Sequence, residues 1–165
     1  MTPSPFARRV ARSLAAGLGA CAALAALPAH ADDDRRLQPA TPLPAYKQEC
    51  GSCHVAFPPA LLPADSWQRL MKNLPKHFGT DASLDAATAA PIAAWLQAEA
   101  GRARRTPAAP PEDRITRGSW FQREHREVAA ATWNRPSIKS PANCAACHTQ
   151  AEQGDFNEHR IRIPR

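Results

Sequence analysis

Aromatic residues make up only 6% of this 165-residue chain, glycine occurs 7 times, and valine and isoleucine are sparse beside abundant alanine. A core built from such side chains alone would be thin for the length, so something other than polypeptide is expected to fill it. No stretch carries a convincing strand pattern, which leaves an all-α fold. The length excludes most large two-domain enzymes.

Positive charge is also scarcer than the formal net charge of +6 suggests, because Arg8, Arg9 and Arg12 lie in a segment patterned as an export signal. An Ala/Leu-rich run from Ser13 to about Leu27 follows them, and then Ala29-His30-Ala31 precede Asp32-Asp33-Asp34. These are the basic, apolar and small-residue parts of a secretory signal, and the run is shorter than the roughly 20 residues of a transmembrane span. Cleavage after Ala31 and a periplasmic location are expected. Leu18-Gly19-Ala20-Cys21 resembles a lipoprotein processing site, but cleavage there would leave a very short apolar region. Residues 32–165 then hold 18 Lys and Arg against 15 Asp and Glu, a net charge of +3, with no transmembrane span. A nucleic-acid role loses its electrostatic basis.

Four of the five cysteines fall in two copies of one pattern, Cys50-Gly51-Ser52-Cys53-His54 and Cys144-Ala145-Ala146-Cys147-His148. Cys-x-x-Cys-His is the attachment motif of c-type haem. On a helix, residues three and four apart share a face, so two sulfurs can bond a porphyrin's vinyl groups while the imidazole reaches iron. A disulfide, a redox Cys-x-x-Cys or a four-cysteine zinc site are the competing readings, and a histidine directly after both pairs favours two covalently attached haem c groups. The apolar macrocycles would supply the missing core.

The order expected along the chain is a haem domain over 32–101, a proline-rich charged linker over 102–113 and a second haem domain over 114–165. A helix opening at about Ala45 should carry the first motif. Asp65 or Ser66 should cap a second helix whose Trp67, Leu70, Met71 and Leu74 form one apolar stripe ended by Pro75. A third is expected from about Ser83 to Ala100, broken at Pro91, with Ile92, Trp95 and Leu96 on one face and Gly101 as C-cap. Ser119 should cap a helix to about Trp133 along which Phe121, His125, Val128 and Thr132 recur, and Asn143 should cap a short helix bearing the second motif.

With His54 and His148 as proximal ligands, His77, His125 and His159 remain for the sixth positions, and the only methionine of residues 32–165, Met71, belongs to a core stripe. His77 lies just past a helix in a loop able to cover the first haem. For the second, His125 shares an apolar face with Phe121, Val128 and Thr132, while His159 would require a taut wrap only 11 residues beyond His148. His159 stands as the alternative to His125.

Residues Glu49 to Gln68, His77-Phe78-Gly79, Ser140 to His148 and Gly154 to Arg165 together resemble the soluble dihaem cytochrome c (DHC) family over essentially the whole mature chain. The resemblance implies a class I cytochrome c-like N-terminal haem domain, a small, irregular helical C-terminal haem domain, bis-histidine low-potential haems, and electron donation to an oxygen-binding monohaem cytochrome. Ile92-Ala-Ala-Trp95-Leu96 looks like the class I C-terminal helix. No methionine lies where the sixth ligand of ordinary class I proteins would sit, which supports His77.

The expected function is one-electron carriage between redox partner proteins, an oxygen-binding cytochrome or a membrane cytochrome, with no catalytic residues. Two imidazoles on each iron exclude substrate, and without a methionine ligand both potentials should be low. The rival is a small peroxidase-like dihaem enzyme, which needs one open iron and acid–base groups beside it.

Overall fold

The computed structural model describes Leu37, residues 41–102 and residues 107–165. The expected signal segment with Cys21, and Arg104 and Arg105 of the expected linker, lie outside the described residues. Residues 32–165 group as one unit. The described residues are helical without a strand, apart from isolated bridges between His77 and Thr80 and between His148 and Ile161. Among them no helix is long and apolar enough to cross a membrane.

Helix α1, Pro44–Cys50, begins with proline, whose fixed φ and missing N–H suit a helix start. It ends at Cys50 rather than carrying the motif through to His54. The Ser52 hydroxyl donates to the Glu49 carbonyl at 2.8 Å, the group that a Cys53 N–H would have to reach for the helix to continue, and Gly51–Cys53 form a turn. Helix α2, Ala64–Lys72, starts from Pro63 with no side-chain cap. Pro63 already holds the extended conformation of an N-cap, so Asp65 and Ser66 fall inside the first turn, where the Asp65 carboxylate favours the helix dipole. Pro75 does not end α2: the helix stops at Asn73, and Pro75 sits inside a following 3-10 turn, Leu74–Lys76.

Helix α3, Ala86–Gly101, is capped by Asp85, which accepts from the Thr88 N–H at 3.0 Å. It starts later than Ser83 because Asp81 holds the Ser83 N–H at 2.9 Å in a turn of its own. The expected break at Pro91 does not occur. Pro91 lies in the second turn of the helix and forgoes a single backbone bond, to the Ala87 carbonyl. Gly101 is the last helical residue and Arg102 takes the cap in a right-handed conformation, so Gly101 provides no left-handed C-cap. Helices α2 and α3 pack on each other around Tyr46, Leu62, Trp67, Ile92, Leu96 and Ala100, with Leu70, Met71 and Trp95 at the margin. Trp67 donates from Nε1 to the Pro59 carbonyl at 2.8 Å, and Trp95 stacks obliquely on Tyr46 with ring centres 4.9 Å apart.

The end of the proline-rich segment is folded down. Pro110 is buried, and Asp113 receives a two-pronged pair of hydrogen bonds from Arg69 at 2.9 and 2.6 Å. Beyond it, the single helix expected from Ser119 to Trp133 is two short ones, α4, Ser119–Glu124, and α5, Ala130–Trp133. Ser119 is the first residue of α4 and Gly118 stands at its cap. At the break, His125 leaves helical geometry at φ −106°, ψ 13°: its N–H still makes the last helical bond, to the Phe121 carbonyl at 3.0 Å, which its ring Nδ1 shares at 2.9 Å, while its own carbonyl is taken by the Val128 N–H in a turn at 3.0 Å. The second motif lies on a 3-10 turn, Cys144–Ala146, and Asn143 gives its side-chain amide to the Ile138 carbonyl at 3.0 Å instead of capping. Among described residues after 113, burial is confined to Phe121, Thr132, Ile138 and Ala151, a core too small to hold roughly 50 residues alone. The tail straps it: the Arg162 N–H bonds the Cys147 carbonyl at 2.9 Å, Arg135 reaches the Pro164 carbonyl at 2.7 Å, and Arg160 pairs with Asp155 at 2.5 Å.

Candidate haem sites

The turn after α1 presents Cys50 half-buried, Cys53 exposed and His54 half-buried. His54 Nδ1 lies 2.7 Å from the Val55 carbonyl, which fixes the tautomer that leaves Nε2 for a metal. Its ring stacks on Phe57 at 4.7 Å, and Phe57 is in turn held by the Tyr46 hydroxyl, which donates to its carbonyl at 2.7 Å. Facing His54 is His77, with ring centres 6.2 Å apart and planes at 22°. A metal held between the two imidazoles, at about 2 Å from each nitrogen with ~1 Å more to each ring centre, would need the rings roughly 6 Å apart. His77 is delivered by the 3-10 turn after α2 and a reversal through Phe78, at φ 51°, and Gly79, at φ 98°.

The second motif is faced in the same way. His148 and His125 also stand 6.2 Å apart, their planes at 70°. His125 stacks on Phe121 at 4.0 Å and lies 5.9 Å from the Trp133 ring, while Phe156 lies 5.5 Å from His148. His159, the alternative to His125, is exposed on the turn Glu158–Arg160. The aromatic partners Phe57 and Phe156 were not singled out from sequence, although each lies within eight residues of a motif histidine.

The surroundings suit haem better than the competing readings. Burial, with Glu49 adding, pushes the Cys50 thiol up to about 11, and burial pushes Cys144 likewise to about 11. Neither has the lowered pKa of the attacking thiol in a redox Cys-x-x-Cys centre. Burial, reinforced by the opposing histidine, lowers both His77 and His148 and favours the neutral imidazole a metal binds. Among the described residues no three His, Cys, Asp or Glu side chains gather as a metal cage; the histidines instead face each other in pairs. His77 Nδ1 and His148 Nδ1 are buried without a partner.

Comparison with known proteins agrees. The family model described as dihaem cytochrome c matches residues 46–156. This chain belongs to the dihaem cytochrome c family. Two solved structures of diheme cytochrome c from Rhodobacter sphaeroides are similar to it: one at 41% identity over 72% of this chain and 99% of its own, TM-score 0.63, the other at 44% identity over 70% and 98%, TM-score 0.60. A diheme cytochrome type c from Shewanella baltica matches at 38% identity over 73% of this chain and 92% of its own, TM-score 0.63. No curated protein matches. As a dihaem cytochrome c the chain carries two covalently attached haem c groups, on Cys50/Cys53 and Cys144/Cys147, and serves as a haem electron carrier.

Proposed function

We propose that this dihaem cytochrome c is a periplasmic one-electron carrier with two bis-histidine, low-potential haems, His54 and His77 serving the first and His148 and His125 the second. It is proposed to pass electrons to an oxygen-binding monohaem cytochrome. The observation that carries the reading is the shared 6.2 Å separation of the two histidine pairs, one histidine of each pair belonging to an attachment motif. Bound haem supplies the Fe(III)/Fe(II) couple. The chain's own residues orient the imidazoles, through the Val55 carbonyl at His54 and the Phe121 carbonyl at His125, and line both sites with Phe57, Phe121, Trp133 and Phe156 against water. An imidazole on each side of the iron excludes substrate, which supports carriage over peroxidase chemistry, and histidine in place of methionine supports low potentials. The reading divides the mature chain into a class I cytochrome c-like lobe over 32–101, a connector over 102–113 and a second haem lobe over 114–165.

Low-temperature EPR of the oxidised protein tests it. Near-parallel rings at 22° and near-perpendicular rings at 70° predict two distinct low-spin signals, one ordinary rhombic and one strongly anisotropic. His77→Ala should abolish the rhombic signal and His125→Ala the anisotropic one, each replaced by high-spin iron, while His159→Ala leaves both. A high-spin signal in the unmodified protein, or loss of the anisotropic signal in His159→Ala alone, overturns the ligand assignment.

A further inference from the structure

The two histidines outside the attachment motifs, His77 and His125, are held with unequal firmness. His125 has its N–H and Nδ1 on the Phe121 carbonyl at 3.0 and 2.9 Å, its own carbonyl accepts from the Val128 N–H at 3.0 Å, and its ring stacks on buried Phe121 at 4.0 Å. His77 hydrogen-bonds only through its backbone, to Leu74 at 3.2 Å and from Thr80 at 3.0 Å; its Nδ1 has no partner, and its ring only leans, tilted, on half-exposed Phe78 at 4.9 Å. The residue after it, Phe78, is 42% exposed and sits at φ 51°, a conformation unfavourable for a bulky side chain. What faces Phe78 is Arg114, its guanidinium carbon 4.3 Å from the ring centre and its Nε 3.7 Å from Glu112. Beside this loop a cleft of about 740 Å³, bordered by Leu70, Asn73, His77, Phe78 and Arg114, gives the loop room to swing.

We propose that the first haem site is openable: with ferrous iron, His77 yields its position to a small neutral diatomic ligand of the carbon monoxide class, while His125 keeps the second site closed, and Arg114 on Phe78 is the latch that sets how readily the loop opens. The proposal rests on the reading of His77 as sixth ligand. In the exchange the iron–nitrogen dative bond breaks and an iron–carbon dative bond forms from the ligand's lone pair. The iron stays ferrous, the imidazole leaves neutral with its Nδ1 proton, and no electron changes hands.

Carbon monoxide titration of the dithionite-reduced holoprotein, followed by stopped-flow absorbance, tests it. The expected result is one carbon monoxide per two haems in a slow phase. In His77→Ala a fast phase should replace the slow one at the same amplitude. Arg114→Ala should speed the slow phase about two- to five-fold, the size of an exposed cation–π contact, and should speed amide hydrogen exchange at residues 77–82 but not at 121–128. If His77→Ala binds two carbon monoxide molecules, one fast and one slow, the second site is the openable one and the proposal is wrong. Inertness of the unmodified protein, with fast binding in His77→Ala, overturns openability while leaving the ligand reading intact. An unchanged low-spin spectrum and slow phase in His77→Ala overturns the ligand reading itself, and an Arg114→Ala rate and exchange pattern equal to the unmodified protein's overturns the latch.

Discussion

Tyr46 is the chain's single tyrosine, only 5% exposed, and its hydroxyl donates to the Phe57 carbonyl at 2.7 Å. It ties α1 to the loop whose Phe57 stacks on His54, so removing the hydroxyl tests whether the core and the first haem site are mechanically one. Tyr46→Phe keeps the ring packing against Trp67 and Trp95 but strands a carbonyl, which costs about 1–2 kcal/mol at neutral pH. The pH dependence is specific. Burial holds the folded phenol far above its ordinary value, whereas the unfolded phenol ionises near pH 10. The folded pKa being the raised one, the stabilisation is complete below about pH 10 and is lost as pH climbs, because the unfolded state alone releases the proton, at ~1.4 kcal/mol per pH unit. Phenylalanine has no such linkage, so the deficit of Tyr46→Phe should shrink to near zero by about pH 11, with lysine titration cancelling between the two proteins. Guanidinium unfolding of the holoproteins, followed by tryptophan fluorescence released from haem quenching at a series of pH values, measures the gap. A gap that stays constant from neutral pH to about pH 11, or no gap at neutral pH, refutes the reasoning.

Asp113→Asn removes the charge from the pair with Arg69; since Arg69 is 53% exposed, the loss should stay below about 1 kcal/mol. Hydrogen bonding from Arg69 depresses the folded Asp113 carboxyl, so the pair's contribution is present above the ordinary carboxylate range and disappears as pH falls through the lower folded value, a convergence that urea unfolding of both proteins in acid would reveal. Removing residues 161–165 deletes the Arg162 N–H bond to Cys147 and the Arg135 bond to Pro164, and should broaden the second haem's EPR signal while leaving the first sharp; equal effects on both would show that the tail is not a local strap. Residues 102–139 carry 9 basic and 4 acidic groups, an excess that the pairing of Glu112 with Arg114 and Arg117 and of Glu124 with Arg123 only partly offsets. Electron transfer to an acidic partner should therefore slow with salt, and replacing Arg102, Arg104 and Arg105 together should slow it further without altering either haem spectrum; a rate indifferent to ionic strength would remove this basic stretch from the docking surface.

What the sequence by itself determined is the chemistry that is local in the chain. Two thiols and an imidazole must be close in sequence to grip one porphyrin edge, so both attachment motifs are readable without a fold, and the scarcity of aromatic and β-branched residues already called for a cofactor-filled helical core. The apolar spacing of Trp67, Leu70 and Met71, and of Ile92 and Leu96, likewise specified the faces that meet between α2 and α3. Helix ends were misjudged wherever a side chain had competing backbone partners. Ser52 took the Glu49 carbonyl and stopped α1 inside the motif, Asp81 delayed α3, and a turn closed by the Val128 N–H on the His125 carbonyl, with the His125 ring on Phe121, split the helix expected to reach Trp133. Only the tertiary structure showed how the histidines expected at each haem face each other. His54 and His77 are brought together by the turn after α2, and His125, at the end of α4, lies 6.2 Å from His148 of the strapped second motif, across separations in sequence that no local pattern encodes. The same long-range packing made the segment before Arg114 part of the fold: Asp113 found Arg69, 44 residues away, and Arg114 found Phe78, contacts that depend on how the chain returns to α2 and not on the composition of the segment that makes them.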